Sequence, residues 1–103
     1  MNSAVHPNDL YRKNMRALSD FGVRQRLVLH TARFTTDEQA RAFKTFVTFR
    51  GYEVVGASHS NVVCFQRVSK IIGRQFDAET DFLRNEIEDL YGDYEGFGNA
   101  SLR

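Results

Sequence analysis

With 103 residues, the chain has room for one domain and little more; 42% of it is hydrophobic and nine residues are Phe, so a packed core needs no staples. Cys64 is the only cysteine, which excludes an intramolecular disulfide and a thiolate metal cage. A net charge of +1 argues against nucleic acid as the main ligand, because phosphate contact usually needs a clear basic excess.

The charge is nevertheless uneven: residues 1–50 carry nine Lys/Arg against four Asp/Glu, and residues 51–103 carry five against nine. Such a split gives solvated helix faces or a bipolar surface that steers a charged partner. No secretory-type opening and no apolar run of about 20 residues is present, so a cytoplasmic protein without membrane contact is expected.

The first residues read as a loose end. Pro7, Asn8 and Asp9 then signal a helix with Leu10, Tyr11, Met15 and Leu18 inward and Arg12, Lys13 and Arg16 in water, closed by Asp20, Phe21 and Gly22. Arg24 to Phe34 reads as a strand with Leu27, Leu29 and Thr31 on one face and Val28, His30, Ala32 and Phe34 on the other. Apolar residues on both faces predict a central strand. A second helix starts at Thr35 to Asp37, with Thr36 and Gln39 spaced as a capping box and Ala40, Phe43, Phe46 and Val47 inward. Gly51 is placed to end it in a left-handed conformation.

Tyr52 to Ser58 and Val62 to Val68 predict a hairpin around the turn-forming Ser58, Ser60 and Asn61. Ser69 to Gln75 cross over, Asp77 caps a third long helix with Leu83, Ile87 and Leu90 inward, and Gly92 ends it. The closing stretch, Asp93 to Ser101, supplies a last strand in which alternation sends Tyr94 one way and Glu95 and Phe97 the other, with Gly96 and Gly98 permitting a bend or bulge. One aromatic would then be core and the other open to a partner.

The predicted fold is a single α+β domain over residues 1–103. A loose end and helix through residue 24 precede a ferredoxin-like β-α-β-β-α-β core over 25–100, an antiparallel sheet with two helices on one face. The last strand is expected at an edge beside the second.

Catalytic groupings are absent from the pattern. His6, His30 and His59 are scattered over a loose end, a strand and a turn, without zinc-motif spacing, so no metal or cofactor is expected. Gly92, Gly96 and Gly98 do not match a phosphate loop. Strand order β-α-β-β-α-β also belongs to the RNA-recognition motif, but that module stacks bases on aromatics of its third and first strands. Here the third strand offers one aromatic, Phe65, and the first puts aliphatics where a stacking ring is needed; direct nucleic-acid binding is not expected, although Arg24, Arg26 and Arg33 could touch phosphate. Glu86, Glu88, Asp89, Asp93 and Glu95 gather around a helix end, where the macrodipole disfavours negative charge. They read as a solvated face or as a landing site for a basic partner.

Arg33 to Val54 and Phe76 to Ala100 together resemble the family of the regulator of ribonuclease E activity B. The likeness is carried by Phe34 to Glu38, by Gly51-Tyr52-Glu53-Val54, and by Gly92-Asp93-Tyr94-Glu95-Gly96-Phe97-Gly98, with Phe97 where the family commonly has tryptophan. The resemblance implies a small ferredoxin-like protein without enzymatic activity that binds ribonuclease E and restrains RNA decay. Partner-binding residues are then expected among Glu88, Asp89, Asp93, Tyr94, Glu95 and Phe97, with Gly51, Gly92, Gly96 and Gly98 as the structural signature. The alternative is an interaction module without inhibitory activity that self-associates through its sheet, so monomer and homodimer both remain open.

Overall fold

In the computed structural model the described residues are 6–17, 24–56 and 61–99. The loose start, Leu18 with the Asp20 to Gly22 close of the first helix, and Ser58 to Ser60 with His59 lie outside them. The elements are α1 (Pro7–Ala17), β1 (Arg26–Arg33), α2 (Asp37–Phe49), β2 (Glu53–Val55), β3 (Val62–Ser69), α3 (Gly73–Asp89) and β4 (Asp93–Asn99). This is a mixed α+β arrangement, three helices with one four-stranded sheet in the order β2-β3-β1-β4, every neighbouring pair antiparallel.

β1 is central, as its two apolar faces require. Val28, His30, Ala32 and the following Phe34 are buried beneath the helices, while Leu27, Leu29 and Thr31 point to the other side and stay half-exposed. The last strand lies beside β1, at the edge opposite β2, and not beside the second strand. α3 carries the chain from β3 across β1, so that β3 and β4 flank β1 on either side, the arrangement of a crossover with a strand between its ends. β2 is shorter than expected, three residues.

α2 is the helix most plainly written in local chemistry. Thr36 accepts from the Gln39 backbone at 3.2 Å while the Gln39 side chain accepts from the Thr36 backbone at 3.2 Å, so two orphan donors are satisfied reciprocally. Its inward stripe of Ala40, Phe43 and Val47 joins Phe34, Tyr52, Val63, Phe65, Leu83 and Ile87 in the larger core cluster.

Three expectations fail locally. α3 begins at Gly73 after Ile72, which offers no side-chain cap; Asp77 lies inside the helix and instead accepts from Asn8 and Arg12. Arg12 therefore turns inward and not to water, because a carboxylate 65 positions away receives its guanidinium at 2.8 and 3.0 Å. Leu10, expected inward, is 66% exposed. α1 itself packs on the helical side of the sheet, where Met15 joins Val28, Ile71 and Phe76 in a second core cluster, so it does not cover the free face.

Candidate functional site

The C-terminal end of α3 is built by a Schellman motif. The Gly92 N–H donates to the Ile87 carbonyl at 2.8 Å and the Tyr91 N–H to Glu88 at 2.9 Å, which places Tyr91 in the left-handed region at φ 60°. Gly92, expected to end the helix, is glycine for a packing reason: a Cβ there would stand 2.5 Å from the Phe34 ring and 2.8 Å from the Arg33 carbonyl oxygen. The tight approach leaves Tyr91 pushed outward, 79% exposed.

Glu88, Asp89, Asp93 and Glu95 surround Tyr91 along the chain and are all exposed. Glu95 accepts from Arg33 at 2.8 Å, whereas Glu88, Asp89 and Asp93 form no ion pair among the described residues. No basic residue occupies the last turn of α3, so the carboxylates meet the negative end of the helix without compensation. Glu86, on the preceding turn, is only half-exposed. The arrangement presents an exposed phenol beside Glu88 and Asp89, which have no ion-pair partner among the described residues, suited to a basic, flat-sided ligand.

Tyr94 and Phe97 do not divide between two faces. β4 pairs with β1 through Ala32↔Tyr94 and then Thr31↔Gly96, leaving Glu95 as the extra residue of a bulge, with Gly96 at φ 111°. One added residue breaks the period of two, so Tyr94 and Phe97 both point toward the helices. The Tyr94 hydroxyl is hydrogen-bonded to His30 Nδ1 at 2.8 Å, and Phe97 lies against Tyr11 and Phe76 at centroid distances of 4.6 and 5.0 Å. Neither is the surface residue of this stretch; Tyr91, just before it, is. Its signal was present as a non-glycine ahead of Gly92, hidden because the glycine looked like the helix stop.

His30 is a core histidine. It stacks on Phe65 at 5.1 Å and meets Tyr52 edge-on at 5.6 Å. Burial, with a smaller contribution from Arg67, pushes its pKa down to about 4, so the ring is neutral at pH 7. Burial raises the Tyr94 phenol well above its ordinary value.

The opposite end of the sheet carries a cleft of about 380 Å³ lined by Gln25, Arg67, Lys70, Gln75, Phe76 and Glu79, among others. Glu79 accepts from Arg50 at 3.0 Å and from the Tyr52 hydroxyl at 2.7 Å, with Arg67 at 3.4 Å. Burial works against its charge, but these donors win and hold the carboxyl below its usual range. It is a closed structural knot with every partner taken, which suits anchoring more than proton transfer. Among the described residues no group of three His, Cys, Asp or Glu side chains could hold a metal ion.

The sheet face away from the helices carries Leu27, Leu29 and Thr31 of β1 with Val62, Cys64, Gln66 and Val68 of β3, and no aromatic side chain from either strand. Phe65 points into the core, so the base-stacking surface of an RNA-recognition motif is missing there. Arg24 and Arg26 stand at one end of β1 and Arg33 at the other, held by Glu95, so they do not converge on one phosphate. No described helix is long and apolar enough to cross a membrane.

No protein-family model matches the chain, and no curated protein matches it.

Proposed function

We propose that this chain is a ferredoxin-like, non-enzymatic domain that binds another protein through the C-terminal end of α3, in the manner implied by its resemblance to inhibitors of ribonuclease E. The observation that carries the reading is Tyr91: a large aromatic held at φ 60° and 79% exposed, beside Glu88, Asp89 and Asp93, which form no ion pair among the described residues. The left-handed conformation closes α3 at a cost of about 1–2 kcal/mol, while the exposed ring itself adds little burial, and such strain concentrates at contact sites. The strand order β2-β3-β1-β4, with both long helices against one face, supports the ferredoxin-like assignment. Carboxylates around the ring suit a basic segment of the partner, with attraction that weakens as salt rises.

The test is binding of purified ribonuclease E to the wild-type chain and to Tyr91→Ala, Glu88→Lys and Asp93→Lys at low and high salt, with RNA cleavage followed in parallel. Salt-sensitive binding weakened about tenfold or more by each change is expected. Absence of binding by the wild-type chain at low salt removes ribonuclease E as the partner.

Self-association through the sheet is the second reading, favoured because α1 packs with the other helices and no described element covers the Leu27, Leu29 and Val68 face. Light scattering after size exclusion separates the two: a strict monomer at high concentration eliminates the sheet-mediated dimer.

A further inference from the structure

β3 runs from the core toward the start of α3. Alternation puts Phe65, Arg67 and Ser69 on the helix side of the sheet: Phe65 is buried, and the two polar residues beyond it line the cleft of about 380 Å³. The antiparallel register sets Arg26 opposite Ser69, which brings Gln25 to the same rim. Lys70 follows Ser69 directly, and Gln75 and Phe76 come from the first turn of α3, with Phe76 packed in the second core cluster. The volume falls within the roughly 300–1,000 Å³ of small-molecule sites.

Charge in this lining is unequal. Glu79 is its one carboxylate, and that group is already occupied by Arg50, Tyr52 and Arg67. Arg67 is fixed in place: its Nη1 donates to the Arg50 carbonyl at 3.1 Å and its guanidinium lies 4.2 Å from the centre of the Tyr52 ring. A guanidinium carries more N–H donors than these contacts use. Lys70 forms no ion pair among the described residues, and the side chains of Gln25, Ser69 and Gln75 form no hydrogen bond among them. Cations with spare donors, set beside amides and a hydroxyl, complement an anion that itself carries hydroxyl groups. An apolar ligand would strand these groups, since the floor offers it only the buried Phe76 and Ile72 on the rim.

We propose that this cleft binds a small phosphorylated, hydroxyl-bearing molecule, its phosphate held between Arg67 and Lys70 and its hydroxyls met by Gln25, Ser69 and Gln75. A phosphate monoester fits the two cations better than a carboxylate does, because it brings more negative charge and a third acceptor oxygen. Bound there, it ties the end of β3 to the first turn of α3. The site stands at the other end of α3 from Tyr91 and is independent of the function proposed above.

The test is a titration of the isotope-labelled full chain with ribose 5-phosphate at low salt, followed through backbone amide resonances. Saturable shifts at Ser69, Lys70 and Gln75 are expected. Ribose without the phosphate should bind at least about tenfold more weakly, and Lys70→Ala should weaken the ester about tenfold. Lys13→Ala removes the same charge from an exposed position on α1 and should leave the affinity unchanged, which separates a local contact from net charge. Gln75→Ala, also at an exposed position, should weaken the ester and leave inorganic phosphate unaffected. No saturable shift at these residues, ribose binding as tightly as its phosphate, or equal losses in Lys70→Ala and Lys13→Ala overturns the proposal. Citrate matching the ester would replace phosphate by carboxylate and overturn the ligand class. An oligonucleotide with a terminal phosphate that binds the same residues more tightly than ribose 5-phosphate would make a nucleic-acid end the occupant and overturn the small-molecule form.

Discussion

α2 and α3 end in the same backbone motif and use it differently. At the end of α2, the Gly51 and Tyr52 N–H groups donate to Thr48 and Val47, and the left-handed position is filled by Gly51 at φ 96°. At the end of α3, Tyr91 and Gly92 make the equivalent bonds, and the left-handed position is filled by Tyr91. After each turn the chain sends a tyrosine inward to His30: Tyr52 edge-on, its hydroxyl on Glu79, and Tyr94 by a hydrogen bond. The α2 end is relaxed and its charges are knotted together by Glu79; the α3 end is strained, and its Glu88 and Asp89 have no ion-pair partner among the described residues. The difference teaches that one folding device can end a helix with the following charges paired at one site and with an aromatic turned to solvent at another.

The largest break in this symmetry should come at the glycines. Gly92→Ala forces a Cβ against the Phe34 ring and the Arg33 carbonyl, and neither can retreat. Arg33 is fixed between Val62 and Asp93 in the sheet, and the Phe34 N–H is bound to Asn61. A loss of about 3 kcal/mol is expected in urea denaturation. Gly51→Ala meets nothing closer than Arg67 at 3.9 Å, so only the left-handed backbone resists it. The expected loss is about 1 kcal/mol, a melting shift of roughly 4–8 °C. Equal losses at the two positions would mean that the α3 turn is governed by its conformation and not by packing.

Acid should act on the residue the two ends share. His30 is held neutral, with its pKa lowered from 6.5 to about 4. The unfolded chain therefore binds the proton more readily, and the stability present above pH 6.5 is lost as the pH falls toward 4, by about 3 kcal/mol. Glu79 and Asp77 have carboxyls lowered from their ordinary values, so their contribution persists until the pH falls below the usual carboxylate range. The window from 6.5 to 4.5 thus isolates His30, and urea midpoints across it measure the effect. A flat midpoint there, or a His30 imidazole resonance titrating near pH 6.5 in the folded protein, would contradict a buried neutral ring.

How far the sequence foretold these features depends on the range of the interaction. The faces of β1, the Thr36–Gln39 box and the left-handed Gly51 each follow from neighbours within four residues, and all were legible. Arg12 was misread because its partner Asp77 is 65 positions away, and the start of α3 because that same Asp77 looked like a cap. β4 defeated alternation through one bulged residue, Glu95, which turned Phe97 to the side of Tyr94. The candidate site was half legible: Glu88, Asp89 and Asp93 are exposed as expected, but the aromatic beside them is Tyr91, because close packing on Phe34 claims the glycine that would otherwise take the left-handed position.

Tyr91 is where the comparison can be sharpened most finely. Tyr91→Gly makes the α3 end resemble the α2 end: it removes the left-handed strain, about 1 kcal/mol or more, but adds freedom to the unfolded chain, so a net gain of about 0.5 kcal/mol is expected. Tyr91→Ala keeps a Cβ at φ 60° and removes only an exposed ring, so stability should stay within about 0.5 kcal/mol of wild type. Both variants lose the phenol and should lose partner binding alike. Together they separate strain from contact, because one changes stability and the other does not while binding falls in both. If the ring instead served the fold, the alanine variant would be measurably less stable, and the claim that this end is shaped for presentation would fail.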